Sequence, residues 1–389
     1  MSDPKYSLST AILQDGTEQF VVSDRDDRLH VSSSWLQFLS QTHRSPHTVR
    51  SYGSRVAWYL SWTSLTTDWR SVTIAHFAMW RGVLASRHVN KTNGEAMFRS
   101  EKTINLWMTP LRSFYDWADA EGLLTNDVAS RMTQLRYFPP GSPAGGEHGM
   151  KRRVLVPELR PKSTTEDSEP AWIDSAAARQ ELINLPLNAR DRFLVDLMYF
   201  TGIRAGEALS LFTSDMHFGG GSPALGCREA DPHFHVRLDN PVENKARAKG
   251  KARLLYVNEA LIDRYIDYML ERNLALSEAP QSPHVFVNMY CDSRYRGRAM
   301  TYNGVKKLIA RCAQGIGYEL TGPHMLRHTF ATRQVRGIEC EAQKLDVVQA
   351  LMGHASISST MVYSHGLEPA KKAALKSVQA RSVDLRREA

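Results

Sequence analysis

The sequence predicts a mostly α-helical chain with one small antiparallel β-sheet, arranged as an N-terminal helical bundle followed by an α+β domain. Three observations predict it. Helical periodicity runs from Val31 to about Met132; a stretch rich in Pro, Gly and charge interrupts it over 139–171; helical segments then resume after Trp172 around only two alternating, strand-like runs. At 389 residues the chain can bury two or three separate cores.

The first thirty residues show little helical periodicity and read as an N-terminal arm, 1–30. The helical domain is expected over 31–138. Its segment HTVRSYGSRVAWYLSW puts Val49, Tyr52, Val56, Tyr59 and Leu60 on one face, leaving Arg50 and Arg55 off it. FRSEKTINLWMTPLRSFYDWADAEG repeats the pattern with Ile104, Trp107, Met108, Leu111 and Phe114, and Gly122 can stop the helix. The interleaved aromatics read as core, and the basic residues as the outer face.

PPGSPAGGEHG, the run Lys151-Arg152-Arg153 and KSTTEDSEP mark 139–171 as an interdomain linker. The second domain is expected over 172–366. Asp174 or Ser175 can cap its first helix, and ARDRFLVDLMYF forms another, stopped at Thr201-Gly202. HFHVRLDN and RLLYV alternate like two strands joined by the basic stretch PVENKARAKGKA. NEALIDRYIDYMLERN and NGVKKLIARCAQ, the latter behind Thr301 as a cap, return to helix. The tail 367–389, EPAKKAALKSVQARSVDLRREA in its setting, carries a weak apolar stripe at Ala373, Ala374, Leu375, Val378 and Val383.

Composition narrows the function classes. The net charge of +8 favours a polyanionic partner, which leaves nucleic acid and membrane surface both open. No apolar run reaches bilayer length, and MSDPKYSLST lacks a signal-peptide core, so no membrane role is expected. Cys227, Cys291, Cys312 and Cys340 are scattered without a CxxC pair and read as reduced thiols, which suits a cytoplasmic protein.

The chemistry-bearing segments lie in the second half. In TGIRAGEALSL, Arg204 follows a Thr-Gly turn and Glu207 stands three residues on, on the same helical face. An arginine there opposes the helix dipole unless both converge on an anion. HMLRH sets His324 and Arg327 three apart behind Gly322-Pro323. His328 completes an HxxxH spacing, but Met325 stands where a zinc protease needs Glu, so no metal is expected there. His233 and His235 alternate along a strand and are the best feature of a metal-dependent rival. In LMGHASISSTMVYSH, His354 follows Gly353, and Tyr363 sits among Ser358, Ser359, Thr360 and Ser364. Guanidinium, imidazole and phenol without a cluster of acidic ligands are equipment for attacking a phosphodiester without a metal.

In this order and spacing the segments resemble those of the tyrosine recombinase (phage integrase) family, over roughly 172–366. TGIRAGEALSL resembles the first-arginine box, HMLRHTFAT the His-x-x-Arg box, and GHASISSTMVYSH the Gly-His and nucleophile-tyrosine box. The helical region 31–132 is similar in character to the family's DNA-clamping N-terminal domain, so the resemblance implies a two-domain DNA clamp. It implies that Tyr363 attacks phosphorus to leave a 3′-phosphotyrosyl link, that Arg204 and Arg327 neutralise the nonbridging oxygens, and that Glu207 orients the site. It gives His324 the tyrosine proton and His354 a hydrogen bond to phosphate. A hairpin lysine protonates the leaving oxygen: Lys249, with Lys245 and Lys251 as alternatives. No cofactor follows, neither ATP nor metal. The implied partners are double-stranded DNA, touched also by Arg50, Arg55, Lys151, Arg152 and Arg153, and three further copies of the chain in a tetramer on two DNA sites. The tail 367–389 resembles in placement the helix that docks on a neighbouring protomer. Two other readings share the motifs: a type IB topoisomerase-like relaxing enzyme, and a non-catalytic DNA-binding protein of the same fold.

Overall fold

The computed structural model describes residues 4–89, 96–140, 148–159, 170–223, 226–246, 248, 250–276, 282–354 and 357–363. The chain divides into two compact units, Met1–Glu166 and Asp167–Ala389.

The first unit begins with an antiparallel hairpin, β1 (Tyr6–Ile12) and β2 (Glu18–Asp24). The helices α1 (Ser32–Gln41), α2 (Pro46–Thr63) and α3 (Ile74–Ala85) follow, then the two-residue strands β3 (His88–Val89) and β4 (Ala96–Met97). Next come α4 (Glu101–Ala120), α5 (Val128–Arg131) and a second hairpin, β5 (Thr133–Phe138) with β6 (Met150–Leu155). Ser45 and Ser100 cap α2 and α4 through the amides of Thr48 and Thr103, satisfying donors that a helix start leaves unpaired. The expected apolar faces of α2 and α4 meet in an aromatic core built on Trp35, Tyr59, Phe77, Trp80, Phe114 and Tyr115. These rings pack edge-to-face or stacked, with Phe77 and Tyr115 centroids 4.9 Å apart.

Two expectations about this unit change. The segment expected as an arm, 1–30, is largely the first hairpin, and it is anchored: the Tyr6 amide donates to Ser61 Oγ at 2.8 Å, and Val22 is fully buried. Its two short strands are mostly half-covered or exposed and carry no 3.6-residue spacing, so helical periodicity does not reveal them. Within the segment expected as linker, 139–171, residues 150–155 form β6, whose register sets Arg152 opposite Arg136 and Lys151 opposite Tyr137. Charge concealed a strand there.

The second unit comprises α6 (Ala176–Asn184), α7 (Ala189–Thr201), α8 (Ala205–Leu209), β7 (Met216–His217), β8 (His233–Val236) and β9 (Arg253–Tyr256). It continues with α9 (Glu259–Ala275), α10 (Tyr302–Gly315), α11 (Pro323–Arg336), α12 (Leu345–Met352) and α13 (Ser358–Met361). The three strands form one antiparallel sheet in the order β7-β8-β9, one short strand more than the two runs predicted. Ser175, rather than Asp174, caps α6, and Asn258 and Thr301 cap α9 and α10. Helix α7 is buried nearly all round and runs through the core with Phe193, Leu194, Val195, Leu197 and Met198, while its buried Arg192 and Asp196 pair with each other. Gly202 ends α7 at φ +65°, and a Cβ there would lie 2.3 Å from the Phe330 ring. That close approach holds the end of α7 against α11. A smaller cluster of Phe330, Val335, Val348, Met352 and Tyr363 joins α11 to α12 and to the segment after α13.

Candidate active site

The site is built around a buried carboxylate. Arg204 is the residue before α8, and Glu207, fully buried one turn on, takes the Arg204 amide on Oε2 at 3.0 Å and the Arg204 guanidinium on Oε1 at 2.7 Å. The predicted i,i+3 pair is therefore an interior one. From the sheet, Arg253 on β9 reaches the same carboxylate, its Nη2 donating to Oε2 at 2.8 Å. Arg327 on α11 stands 3.9 Å from Glu207. Three guanidiniums thus share one carboxylate. Burial works to raise the Glu207 pKa, but the Arg253 hydrogen bond and charge, then the Arg204 amide and charge, together carry it below the ordinary value.

Backbone carbonyls aim the arginines. Arg327, only 3% exposed, donates to Gly202 O at 2.6 Å and to Met352 O. Arg204 also reaches Met352 O, at 3.4 Å, and Arg253 Nε donates to Leu351 O at 2.8 Å. The carboxyl end of α12 is therefore covered by guanidiniums, which suits the negative end of a helix dipole. Gly353 follows at φ +61°, where a Cβ would lie 2.6 Å from an Arg253 nitrogen. The glycine of the Gly-His pair leaves room for that side chain.

Burial, then the charges of Arg204, lowers the Arg327 pKa to about 9, so the group stays protonated at neutral pH.

The nucleophile candidate lies beside this cluster. Tyr363 is 2% exposed and its hydroxyl is 2.8 Å from His328 Nδ1. The family resemblance implies that His324 handles the tyrosine proton. In the structure the phenol instead meets His328, one turn further along α11, while His324 stands exposed with its ring 6.2 Å from that of His328. The His354 ring runs parallel to that of Tyr363, within 9° and with centroids 6.3 Å apart, and its Nδ1 pairs with Thr360 Oγ1 at 2.9 Å. Desolvation raises the Tyr363 pKa although Arg327 and Arg204 pull it down, so the resting phenol is protonated and attack requires a proton acceptor. A neutral His328 is such an acceptor. Burial, then His324 and Arg327, holds its pKa at about 4; burial, then Arg327 and Arg204, does the same for His354. His324 is lowered by desolvation of its ring and by Arg327 and Arg204.

These shifts have a stability consequence. Both His328 and His354 fall from an ordinary 6.5 to about 4 on folding, so between those values the unfolded chain binds more protons than the folded one. The contribution of these two histidines to stability is fully present above pH 6.5 and is lost as pH falls toward 4. Thermal melting of the full chain at pH 7 and pH 5 is expected to show the loss, and His328→Gln is expected to make it shallower.

Sequence reasoning missed Arg253 and gave His328 only a metal role, which it rejected. The signal for Arg253 was its position at the start of the strand after the basic hairpin. Lys249 lies outside the described residues. Its neighbour Gly250, at φ +108°, brings the hairpin against the site: a Cβ there would lie 2.6 Å from Gly353 O and 3.4 Å from an Arg204 nitrogen. Lys245 and Lys251 are exposed. Ser364 and the tail 367–389 also lie outside the described residues.

In the first unit, Arg50 is exposed, whereas Arg55 donates to Leu106 O at 2.7 Å and covers the Trp107 ring. Lys151, Arg152 and Arg153 are exposed on β6.

Comparison with known proteins gives the family. The sequence profile of the phage integrase family matches residues 176–368, and that of the phage integrase N-terminal SAM-like domain matches 33–122. The chain belongs to the tyrosine recombinase (phage integrase) family. It is 25% identical over 337 residues to transposase A from transposon Tn554 of Staphylococcus aureus, covering 85% of this chain and 86% of the relative. It is 24% identical to the tyrosine recombinase XerD of Halalkalibacterium halodurans, covering 82% and 87%. Among solved structures, a XerH site-specific recombinase bound to palindromic difH substrate superposes with a TM-score of 0.57 at 17% identity, over 90% of this chain and 85% of the other. The Tn1549 transposon integrase bound to transposon right end DNA gives 0.58 at 15% identity, over 88% and 97%. These structures share the fold. No helix among the described residues is long and apolar enough to cross a membrane.

Proposed function

We propose that the protein is a site-specific DNA recombinase or integrase that cleaves and rejoins DNA through a 3′-phosphotyrosyl intermediate, with neither ATP nor a metal ion in the chemical step. The observation that carries this reading is the convergence of Arg204 and Arg327 on Glu207 and the Met352 carbonyl, beside a Tyr363 hydroxyl bonded to a neutral imidazole. Relatives named as transposase and as tyrosine recombinase, matched over more than four-fifths of their length, support it.

In this mechanism the scissile phosphate lies between Arg204 and Arg327, whose forked donors neutralise the nonbridging oxygens and stabilise the pentacoordinate state. Tyr363 attacks phosphorus and gives its proton to His328, while His324 and His354 face the phosphate. Lys249 protonates the departing 5′-oxygen. The phosphate charge raises the imidazole pKa values as it enters, so proton acceptance improves when substrate is present. The phosphotyrosine conserves the bond energy, and a 5′-hydroxyl from a second duplex reverses the attack.

The partner is double-stranded DNA, and the working assembly is a tetramer on two sites, with the tail 367–389 docking on a neighbour. The β5–β6 hairpin is a DNA-contact element in this reading. Arg136 and Arg152 oppose each other across it, both exposed, a repulsive pairing that a phosphate backbone relieves. DNA affinity is expected to fall steeply with salt, and Arg136→Ala with Arg152→Ala to lower the slope of log K against log salt by about 2. A slope unchanged in a folded double variant would remove the hairpin from the interface.

The deciding experiment mixes the protein with a nicked duplex carrying the ends of its own element and resolves the products on a denaturing gel. A covalent protein–DNA band is the expected result. A bound site that gives no adduct would favour the non-catalytic DNA-binding reading, and relaxation of plasmids of any sequence would favour the topoisomerase-like one.

A further inference from the structure

Away from the arginine cluster, the sheet carries a second group of side chains that cleavage does not use. His217 on β7 lies opposite His233 on β8, and His235 follows two residues along, so strand register places three imidazoles on one face. Their ring centroids lie 4.8 to 5.0 Å apart. The alternate residues Phe234 and Val236 fill the hydrophobic core on the other face. Cys227 comes onto the imidazole face, its Sγ 3.2 Å from His233 Nε2. Gly221 allows the fold-back, since a Cβ there would lie 2.6 Å from Cys227 O and 2.8 Å from Glu229 O. One ring nitrogen or sulfur from each of His217, Cys227, His233 and His235 lies within 4.8 Å of every other. His233 is fully buried, His217 is 5% exposed and Cys227 8%.

Two outer hydrogen bonds fix what these rings present. His233 Nδ1 is 2.7 Å from Asp231 O, and His217 Nε2 is 3.1 Å from Ser214 O. A carbonyl only accepts, so each of those nitrogens carries the proton, and His233 Nε2 and His217 Nδ1 present bare lone pairs inward. His217 Nδ1 is buried without a hydrogen-bond partner. His233 Nε2 faces both Cys227 Sγ at 3.2 Å and His235 Nε2 at 3.1 Å. An imidazole held by a backbone carbonyl on one nitrogen, with the other aimed at a common point, is the arrangement metal-binding histidines take. Bonds of about 2.0–2.3 Å in a tetrahedral zinc site set neighbouring donors about 3.3–3.8 Å apart, close to the separations around His233.

We propose that His217, Cys227, His233 and His235 bind one structural zinc ion. Binding releases the Cys227 thiol proton to solvent and leaves a thiolate and three neutral imidazoles on the metal. All four positions come from protein, so the ion has no open site for substrate and takes no part in strand cleavage. Its effect is mechanical: it ties Cys227 to β7 and β8, and β8 pairs with β9, which starts at Arg253, close in sequence to Gly250 beside Arg204. The sequence showed only His233-x-His235, too little for a site, because His217 and Cys227 join them through register and a loop.

The test is metal binding by the full chain. Protein stripped with a chelator is titrated with zinc against a chromophoric competitor, and separately with cobalt(II). One equivalent of zinc, with a near-ultraviolet thiolate-to-cobalt band and intense tetrahedral visible bands, is the expected result. Cys227→Ser is expected to abolish the thiolate band, and Cys227→Ser with His235→Gln to lower zinc affinity by more than about 100-fold. Stripped wild type is expected to melt like that double variant, with only the wild type rising on zinc addition, which separates lost binding from misfolding. Wild type that takes up no zinc in micromolar competition would overturn the proposal, as would stoichiometric zinc retained by the double variant.

Discussion

Tyr363→Phe is expected to give no covalent DNA adduct while binding its site as the wild type does. The phenol is the nucleophile in the proposed reaction, and removing a nucleophile lowers turnover by about 10⁴-fold or more even where the rest of a site survives. The structural cost is small: the ring keeps its place against His354 and in the Phe330 cluster, and only the hydroxyl bond to His328 is lost, worth about 1 kcal/mol. Binding with no adduct in the variant, and an adduct in the wild type, is therefore a statement about chemistry. An adduct that survives in Tyr363→Phe would mean another nucleophile.

The same assay separates the two imidazoles. If His328 takes the phenol proton, His328→Ala lowers the rate of adduct formation by about 10²–10⁴-fold, the usual range for a general base. His324→Ala then acts on phosphate binding and leaves a smaller defect. The opposite order would mean that the resting contact between His328 and Tyr363 breaks when DNA enters, with His324 moving in.

What the sequence disclosed and what it hid differ by the kind of connection involved. Arg204 with Glu207 and His324 with Arg327 could be read because each pair lies within one helical turn, where spacing fixes proximity. Tyr363 was legible from its place in a motif. Arg253 was not: it belongs to a strand, and only tertiary packing against α8 and α12 carries its guanidinium to Glu207. His328 looked redundant beside His324 because a helix face says nothing about which ring a distant tyrosine will meet. The first hairpin was missed because its strands are short, mostly half-covered or exposed, and carry no helical spacing. The helical cores, by contrast, were plain from their apolar spacing, since α2 and α4 bury the side chains that periodicity selects.

Glu207→Gln is expected to lower both stability and cleavage, and to do so out of proportion to its effect on DNA binding. The carboxylate is fully buried and is shared by Arg204 and Arg253, with Arg327 3.9 Å away. Glutamine has nearly the same shape but no charge and only one acceptor oxygen, so the arginines lose their counter-charge inside the protein. Breaking a buried ion pair from one side costs about 3–5 kcal/mol, enough for a clear drop in melting temperature. Those three guanidiniums and one carboxylate sum to +2, the opposite of the charge on a dianionic pentacoordinate phosphorane. The glutamine variant presents +3, which attracts a phosphodiester at least as well but no longer holds the guanidiniums at fixed angles. Misdirected donors lose what they contribute specifically to the transition state, so cleavage is expected to fall by about 10²–10³-fold while site affinity stays near wild type. Arg253→Lys tests the same device from the sheet side: lysine keeps the charge but cannot span both Glu207 and the Leu351 carbonyl, so it is expected to retain most of the stability and lose part of the rate. Parallel loss of DNA affinity and cleavage in Glu207→Gln would instead mean that the carboxylate serves only to keep the unit folded.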